Sequence, residues 1–184
     1  VRHDLVEILI VIVALMLGKI CGRLMRLQKF SNGLGGNARS AMEAVSKGTK
    51  PGPGEGFKVC AVLFCAAPLG ILGALQDGLS DSYFPLIVKG LVDGLAAMGF
   101  VMMFGWGVML SVISVLAFQG TIYLVACQWL RPWLEMHHLV DPVNAVGGLL
   151  VFCVGLIVLQ LKRIEIADYL PSLAMAPLLT WVFR

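Results

Sequence analysis

Two charged residues interrupt the apolar run "FPLIVKGLVDGLAAMGF" between Phe84 and Phe100. Lys89 and Asp93 stand four positions apart, so on a helix they share one face and can form an ion pair. An isolated charge at the centre of a bilayer costs about 2.5 kcal/mol or more, and a neighbouring opposite charge offsets part of that cost. The spacing predicts either an ion- or proton-linked site that faces a cavity, or a structural pair that locks this helix against a neighbour.

Glycines beside this pair bear on where it lies. Gly90 and Gly94 form a G-x-x-x-G pattern, which lets a second helix approach closely. The pattern therefore predicts that the pair faces protein and not lipid. Because the Asp93 side chain is too short to reach the membrane surface, a conducting site also requires an enclosed, wet cavity beside its carboxylate.

A second set of polar residues falls in a later apolar run. Ser111 and Ser114 are three positions apart, and Gln119 is eight beyond Ser111, which places all three close to one helical stripe. Such groups often form hydrogen bonds between helices, worth about 0.6 kcal/mol on average. The stripe is interpreted either as the lining of a solute pathway or as a set of hydrogen bonds that hold neighbouring helices together.

Prolines predict interruptions of the apolar helices at three positions: Pro68, Pro171 and Pro177. Polar residues accompany the interrupted runs, with Gln76 and Asp77 after the first break and Asn144 at the start of another apolar run. Transporters built from discontinuous helices place half-helix ends and freed backbone groups at the substrate site. These polar residues are therefore candidates for a transport pathway.

Other kinds of chemistry find little support in the sequence. Adjacent His137 and His138, with Glu135 and Asp141 nearby, are more typical of solvated histidines near lipid headgroups than of a metal site, because adjacent helical residues do not point the same way. The five cysteines include no C-x-x-C pair, and no phosphate loop, serine elbow or dinucleotide fingerprint occurs. A net charge of +3 is too small to favour nucleic acid. We therefore predict no enzyme, metal or other cofactor.

The elements that must position these residues are membrane helices. Apolar residues make up 59% of the chain and charged residues 14%, against roughly 45–50% and about 25% in soluble domains. A crossing helix needs about 20 largely apolar residues. The sequence predicts one all-α, polytopic integral membrane domain over residues 1–184. Its six hydrophobic segments, some broken by proline or glycine, are residues 5–22, 57–75, 84–104, 108–130, 143–161 and 170–183.

A long polar and basic connection separates the first two segments. Residues 23–56 are predicted as a cytoplasmic loop that contains a short interfacial helix, Asn37–Lys47. The apolar side of that helix would carry three residues: Ala41, Met42 and Val45. The last part of the connection, Gly48–Gly56, is predicted as a flexible tether because of its glycines and prolines.

Shorter connections follow. Gln76–Tyr83 is predicted as an acidic exit loop and Arg131–Asp141 as a polar loop. The last run, residues 170–183, is short for a full crossing, so a kinked or half-inserted helix and a complete span both remain open.

Basic residues predict the orientation, because Lys and Arg are enriched in cytoplasmic loops. With residues 23–56 in the cytoplasm and alternating spans, the cytoplasmic side holds ten: Lys19, Arg23, Arg26, Lys29, Arg39, Lys47, Lys50, Lys58, Lys162 and Arg163. The outer side holds three: Arg2, Arg131 and Arg184. The bias predicts a multi-pass protein with the first residue of this chain outside.

Four stretches together resemble the bacterial inner-membrane family called domain of unknown function 554: "LFCAAPLGILGALQDGLSDSY", "LIVKGLVDGLAA", "GVMLSVISVLAFQG" and "AVGGLLVFCVGLIVLQLKRIEIADYLPSLAMAPLL". The resemblance implies a plasma-membrane protein of about seven helices, with two further helices before the first one seen here, and a transport role with no assigned substrate. The family pattern matches these positions: Gln76, Asp77, Gly78, Lys89, Asp93, Gln119, Gly147, Gly148, Lys162, Leu170 and Pro171.

Two functional hypotheses follow. In the first, the protein is a secondary transporter or channel for a small solute or ion, with Asp93 and Lys89 beside a pathway that Ser111, Ser114 and Gln119 line. In the second, it is a membrane scaffold or partner subunit whose polar residues only lock helices; an enzyme acting on a lipid ranks below both. The expected partners are the lipid bilayer, a small solute or ion, and a second copy that packs through glycine-rich helix faces.

Overall fold

Apolar runs bounded by glycine, proline and charged residues fold into α-helices. The computed structural model describes residues 2–48, 52, 54–162 and 164–183. Within those ranges the fold is all-helical, as the sequence predicts. The helices are α1 (Arg2–Leu24), α2 (Leu27–Ser46), α3 (Glu55–Cys65), α4 (Pro68–Ser80), α5 (Phe84–Phe104), α6 (Ser111–Val125), α7 (Arg131–Met136), α8 (Val140–Val158) and α9 (Ser172–Phe183).

Among the described residues, three helical segments are long and apolar enough to cross a membrane: Phe84–Phe104, Trp106–Met136 and Val140–Ile157. Two bent pairs raise the number to five if each pair is one span. Glu7–Leu24 meets Leu27–Ser46 at 58°, and Glu55–Cys65 meets Pro68–Ser80 at 57°. The membrane-helix fold is confirmed, with three to five candidate spans in the described residues where the sequence suggested about six.

The C-terminal helix accounts for part of this difference. α9 is 12 residues long, whereas a crossing takes about 20. Pro171 precedes α9, and its carbonyl accepts a hydrogen bond from Met175 N. Pro177 lies inside α9 and does not end it, so the predicted helix break at Pro177 is wrong. Pro171 separates α9 from the short 3-10 turn Ile166–Tyr169 that comes before it.

The connection between α1 and α3 is more helical than predicted. α2 begins at Leu27 and not near Asn37, and the three residues of its predicted apolar side pack against the cluster formed by Cys60, Phe64, Phe104 and Val108. Residues 49–51 and 53 of the predicted tether lie outside the described residues. The cytoplasmic location of this connection stays a prediction.

The predicted exit loop after Pro68 is mostly helix. α4 runs to Ser80, and Asp81 ends it in the left-handed conformation with φ 55°. Gln76 and Asp77 therefore belong to the helix. Gly78, which lies within the predicted loop, is a packing contact of α4: a Cβ there would lie 2.6 Å from the Ala126 Cβ.

The segment Trp106–Met136 is one continuous helical rod with changes in winding. A 3-10 turn, Trp106–Leu110, leads into α6, and a π turn, Ala126–Leu130, joins α6 to α7. Pro132 has no N–H for the carbonyl of Gln128, and its ring would crowd that carbonyl in a regular α-helix. The π turn falls at this conflict, so the chain stays helical through residues 131–136, which were predicted as loop.

α1 packs closely along α9 and the segment before it. A Cβ at Gly18 would lie 2.5 Å from the backbone nitrogen of Ser172, and a Cβ at Gly22 would overlap the carbonyl oxygen of Asp168. Both glycines are therefore required by a backbone-to-backbone approach. A hydrophobic core continues from this contact between α1, α4, α8 and α9, with these buried residues: Ala14, Leu72, Val146, Leu150 and Ala176.

Asp168 caps α2 from a distant part of the chain. Its Oδ1 accepts a hydrogen bond of 2.8 Å from Gln28 N, and Gln28 Oε1 accepts one of 3.2 Å from Ala167 N. The side chain is buried, and a carboxylate is stabilised at the N-terminus of a helix by the unpaired N–H groups and the helix dipole. This exchange of bonds fastens α2 to the turn before α9.

Replacing Asp168 by Ala should lower the free energy of unfolding by about 1–2 kcal/mol, because Gln28 N loses its acceptor. Thermal unfolding in detergent, followed by the helical circular dichroism signal, measures the change. Asp168→Asn can still accept the bond and should lose less. The exposed neighbour Glu165 supplies the control, and equal losses from Glu165→Ala and Asp168→Ala would contradict the capping role.

Candidate functional site

Pro68 leaves one backbone acceptor in the membrane region without its usual donor. In an unbroken helix the carbonyl of Phe64 would accept from the N–H of residue 68, but proline has none. The chain bends by 57° there, and Ala67, before the proline, is extended with ψ 122°. Because no water reaches the hydrocarbon to satisfy it, the Phe64 carbonyl needs a donor from elsewhere in the protein.

Lys89 supplies that donor. Its Nζ donates to the Phe64 carbonyl oxygen over 3.1 Å and lies 5.6 Å from the centre of the Phe64 ring. The ammonium thus sits at the C-terminal end of α3, where the negative end of the helix dipole favours a cation. The helix break that the sequence predicts at Pro68 and the charge that it predicts in α5 meet at one place.

Lys89 also pairs with Asp93, as their spacing on α5 predicts. The Lys89 side chain is 4% exposed and the Asp93 side chain 20%. The lysine is therefore held in protein, whereas part of the carboxylate reaches the protein surface. With Phe64 and Asp93 as acceptors and the Phe64 ring beneath it, the buried ammonium is well compensated.

The glycines beside the pair do not bring a helix against it. A Cβ at Gly90 or Gly94 would meet no described atom within 4 Å, so within the described part of the chain no helix of the same protomer packs on this pattern, although Lys89 itself faces protein. Leu91 and Leu95 on the same helix are also exposed. The open face of α5 leaves room for lipid or for a partner.

Gln119 of α6 reaches the same break from the other side. A Cβ at Gly70, in the first turn of α4, would lie 2.7 Å from Gln119 Nε2 and 3.2 Å from Lys89 Cε. Glycine at position 70 is what lets the two side chains converge. The Gln119 Nε2 is buried and has no hydrogen-bond partner in the described structure. An unsatisfied buried donor is costly, and it offers hydrogen bonds to an oxygen that enters the site.

We refer to Phe64, Gly70, Lys89, Asp93 and Gln119 as the break site. It combines one buried cation, one partly exposed carboxylate and one unpaired amide donor at the junction of two half-helices. This arrangement can carry a proton or cation on the carboxylate, and it can hold a small molecule through an acceptor oxygen near the amide. The sequence does not reveal Gly70 or the Phe64 carbonyl directly, although a proline four positions after Phe64 is a signal for the second.

The two serines predicted beside Gln119 behave differently. Ser111 is buried, and its hydroxyl donates to the Val108 carbonyl over 2.7 Å within the same helical rod. Ser114 is half-buried. The hydroxyl of Ser111 is thus used inside its own helix, and the structure does not bring it into the break site.

Ser80 makes a second polar contact, between α4 and α8, that involves the candidates Gln76 and Asn144. Ser80 Oγ lies 2.7 Å from Asn144 Oδ1 and 3.1 Å from the Gln76 carbonyl oxygen. A Cβ at Gly147 would lie 2.6 Å from Gln76 Nε2, so that glycine makes room for the amide. These candidates are together, but they are separate from the break site and fix α4 against α8.

Asp77 lies on α4 and is half-buried. Its carboxylate makes no hydrogen bond or ion pair with a described residue, in contrast to Asp81, whose two oxygens each accept from Arg131 Nη1 over 3.0 Å. Arg131 also donates to Glu135 over 2.9 Å. This ion pair joins the end of α4 to the start of α7, and sequence reasoning missed it because the partners are 50 residues apart.

The histidines and a large cleft lie away from these residues. His137 Nδ1 is 2.8 Å from the Trp133 carbonyl oxygen, and in the described ranges no group of three His, Cys, Asp or Glu side chains is placed to hold a metal ion. A cleft of about 1190 Å³ opens between α1, α2 and α8. Neither Lys89 nor Asp93 lines it, so this cleft is not the cavity expected beside Asp93.

Comparison with known proteins shows which family the chain resembles. The family model described as "Protein of unknown function (DUF554)" matches residues 2–181. "Uncharacterized membrane protein YdfK" of Bacillus subtilis (strain 168) is 30% identical over 173 residues, 94% of this chain and 70% of that protein. "Uncharacterized protein YqgA" of Escherichia coli (strain K12) is 30% identical over 168 residues, 90% of this chain and 70% of that protein.

No solved structure matches the chain significantly. The family match nevertheless covers nearly every residue, and it agrees with the apolar, all-helical fold and with the relative that is named a membrane protein. This chain belongs to the DUF554 family of membrane proteins.

Proposed function

We propose that the protein is a multi-pass transporter or channel of the bacterial inner membrane that moves a small solute or ion past the break site. The observation that carries this proposal is the meeting of a buried charge and an unpaired buried amide at a helix break. Discontinuous helices whose ends face a bound solute or ion are the recurring architecture of secondary transporters. Charged groups inside a membrane are expensive and mark ion or proton pathways in many such proteins.

The three polar groups have distinct roles in this proposal. Asp93, the partly exposed group, takes up a proton or cation. Lys89 stays on the Phe64 carbonyl and holds the end of α3 in place while the charge of Asp93 changes. The Gln119 amide donates to an acceptor oxygen of the solute, which favours a solute that carries a carboxylate, carbonyl or hydroxyl group.

Orientation and location rest on the distribution of basic residues and on the bacterial origin of the two relatives. We place the lysine- and arginine-rich ends of the helices in the cytoplasm. The second copy predicted from the glycine pattern would use the open face of α5, which Gly90 and Gly94 leave free.

A membrane scaffold is the second candidate function. Lys89 is almost fully buried and has acceptors for its charge, and Ser80 links α4 to α8. These contacts are also what a lock between helices requires. In this role the break site would stabilise the fold and conduct nothing.

Replacing Asp93 by Asn distinguishes the two. Purified protein in liposomes is exposed to concentration jumps of H⁺, Na⁺ and Cl⁻, and the resulting currents are recorded on a solid-supported membrane. If Asp93 carries an ion or proton, Asp93→Asn should reduce the wild-type current to background while the protein stays folded. The reason is that an amide side chain, unlike a carboxylate, carries no charge and does not take up a proton near neutral pH.

Asp141→Asn is the matched control, since Asp141 is an exposed carboxylate at the start of α8, and it should keep the current. Unchanged currents in Asp93→Asn and in Lys89→Met/Asp93→Asn, together with earlier melting, would favour the scaffold.

A further inference from the structure

The cleft between α1, α2 and α8 has walls of two kinds. One part of it is lined by apolar side chains: Ile12, Leu15 and Met16 of α1, and Leu149, Cys153 and Ile157 of α8. On each helix these positions recur every three or four residues, which places them on one face. At 1.5 Å per residue the apolar strip is about 6 Å long on α1 and about 12 Å long on α8, and the longer one suits an extended hydrocarbon chain.

Both apolar strips end at a lysine on the same side. Lys19 follows Met16 by three positions on the same face of α1, and Lys162 follows shortly after α8 ends at Val158. The ammonium of Lys19 lies 5.2 Å from the centre of the Tyr169 ring. Neither lysine forms an ion pair within the part of the chain that the structure describes.

Neutral polar groups complete this end of the cleft. Gln28 Nε2 donates to Asn32 Oδ1 over 2.9 Å on α2, and both side chains line the cleft beside one carboxylate, Glu165. Two ammonium groups and one carboxylate leave a net charge of about +1 at this end. Lysines at the ends of membrane helices lie at the level of the lipid headgroups.

We propose that this cleft binds one anionic phospholipid, with its phosphate between Lys19 and Lys162 and an acyl chain between α1 and α8. An amphipathic anion is complementary to both halves of the cleft, whereas a free phosphate would use only the lysines and a polar solute would leave the apolar strips uncovered. Basic pockets between membrane helices at the cytoplasmic surface are suited to lipid phosphates. The site is separate from the break site and does not depend on transport.

Native mass spectrometry of delipidated protein in detergent tests this. The protein is titrated with phosphatidylglycerol, phosphatidylethanolamine and phosphatidylcholine of identical acyl chains, and with glycerol 3-phosphate as the headgroup alone. We expect phosphatidylglycerol to bind most tightly. The variant Lys19→Gln/Lys162→Gln should lower its affinity by about 30-fold, roughly fivefold for each lysine, and should leave phosphatidylcholine binding unchanged.

Lys29→Gln/Lys47→Gln is the matched control, because both lysines are exposed, one near each end of α2, and do not line the cleft. It should bind phosphatidylglycerol as the wild type does. Cys153→Trp, which fills the space between the apolar strips, should weaken all three lipids together. Circular dichroism and the melting temperature confirm that each variant is folded.

Three results would overturn the proposal. Equal affinity for the three lipids would show general contact with the bilayer and no headgroup site. Glycerol 3-phosphate binding as tightly as phosphatidylglycerol would make this a site for a free phosphate ester. An equal loss in the two double-lysine variants would show that net charge, and not the cleft, attracts the lipid.

Discussion

Replacing Lys89 by Met should lower the free energy of unfolding by about 3 kcal/mol, at the lower end of the cost of removing one partner from a buried ion pair. Two groups lose their partner at once. The Asp93 carboxylate loses its cation, and the Phe64 carbonyl, which Pro68 already deprives of a backbone donor, loses the 3.1 Å bond from Lys89. Denaturant-induced unfolding in mixed micelles measures the loss.

The double variant Lys89→Met/Asp93→Leu should recover part of this loss. It removes both charges, so that of the groups Lys89 contacts only the Phe64 carbonyl is left without its partner, at a cost of about 1–3 kcal/mol. Lys58→Met is the control, because Lys58 is an exposed lysine on α3, and it should change stability by less than about 0.5 kcal/mol. If Lys89→Met is no less stable than Lys58→Met, Lys89 does not hold α5 to the Phe64 carbonyl at the break.

Gly22→Val should destabilise the protein by about 3 kcal/mol or more, as overpacking against rigid groups does. The atom in the way is the Asp168 carbonyl oxygen, which is backbone and cannot turn aside as the end of a side chain can. Gly18→Val meets the backbone of Ser172 and should behave alike. Both variants would push α1 away from α9, which thermal unfolding in detergent would register as an earlier transition.

Gly33→Ala provides a control that should raise, and not lower, the free energy of unfolding. Gly33 lies within α2, and a Cβ there would meet nothing within 4 Å. Because alanine favours the helix over glycine, this variant should gain up to about 1 kcal/mol. A wild-type melting temperature for Gly22→Val would mean that α1 does not pack against residues 168–172.

Local rules predicted the parts of this fold that depend on neighbours in sequence. The break at Pro68 follows from a missing N–H, and the pairing of Lys89 with Asp93 follows from helical spacing. Loop predictions failed where tertiary contacts overrode composition. Gln76–Tyr83 is predicted as a loop, but in the fold Gly78 packs against Ala126, and α4 continues to Ser80.

The break site was only partly predictable for the same reason. Lys89, Asp93 and Gln119 stand out because they are polar in apolar runs. Their convergence over Gly70 depends on how α4, α5 and α6 pack, which no local pattern encodes. The G-x-x-x-G pattern at Gly90 and Gly94 shows the converse limit, because it permits close helix contact without specifying that one forms.

The extra residue of the π turn at Ala126–Leu130 sets the azimuth of everything that follows it in the rod. Each α-helical residue advances the side-chain direction by about 100°, so a rod wound without that residue would present α7 rotated by about a quarter turn. Arg131 would then point away from Asp81, and the ion pair between α4 and α7 would be lost. One irregular turn thus sets the direction in which Arg131 points, and so allows the end of α4 and the start of α7 to meet.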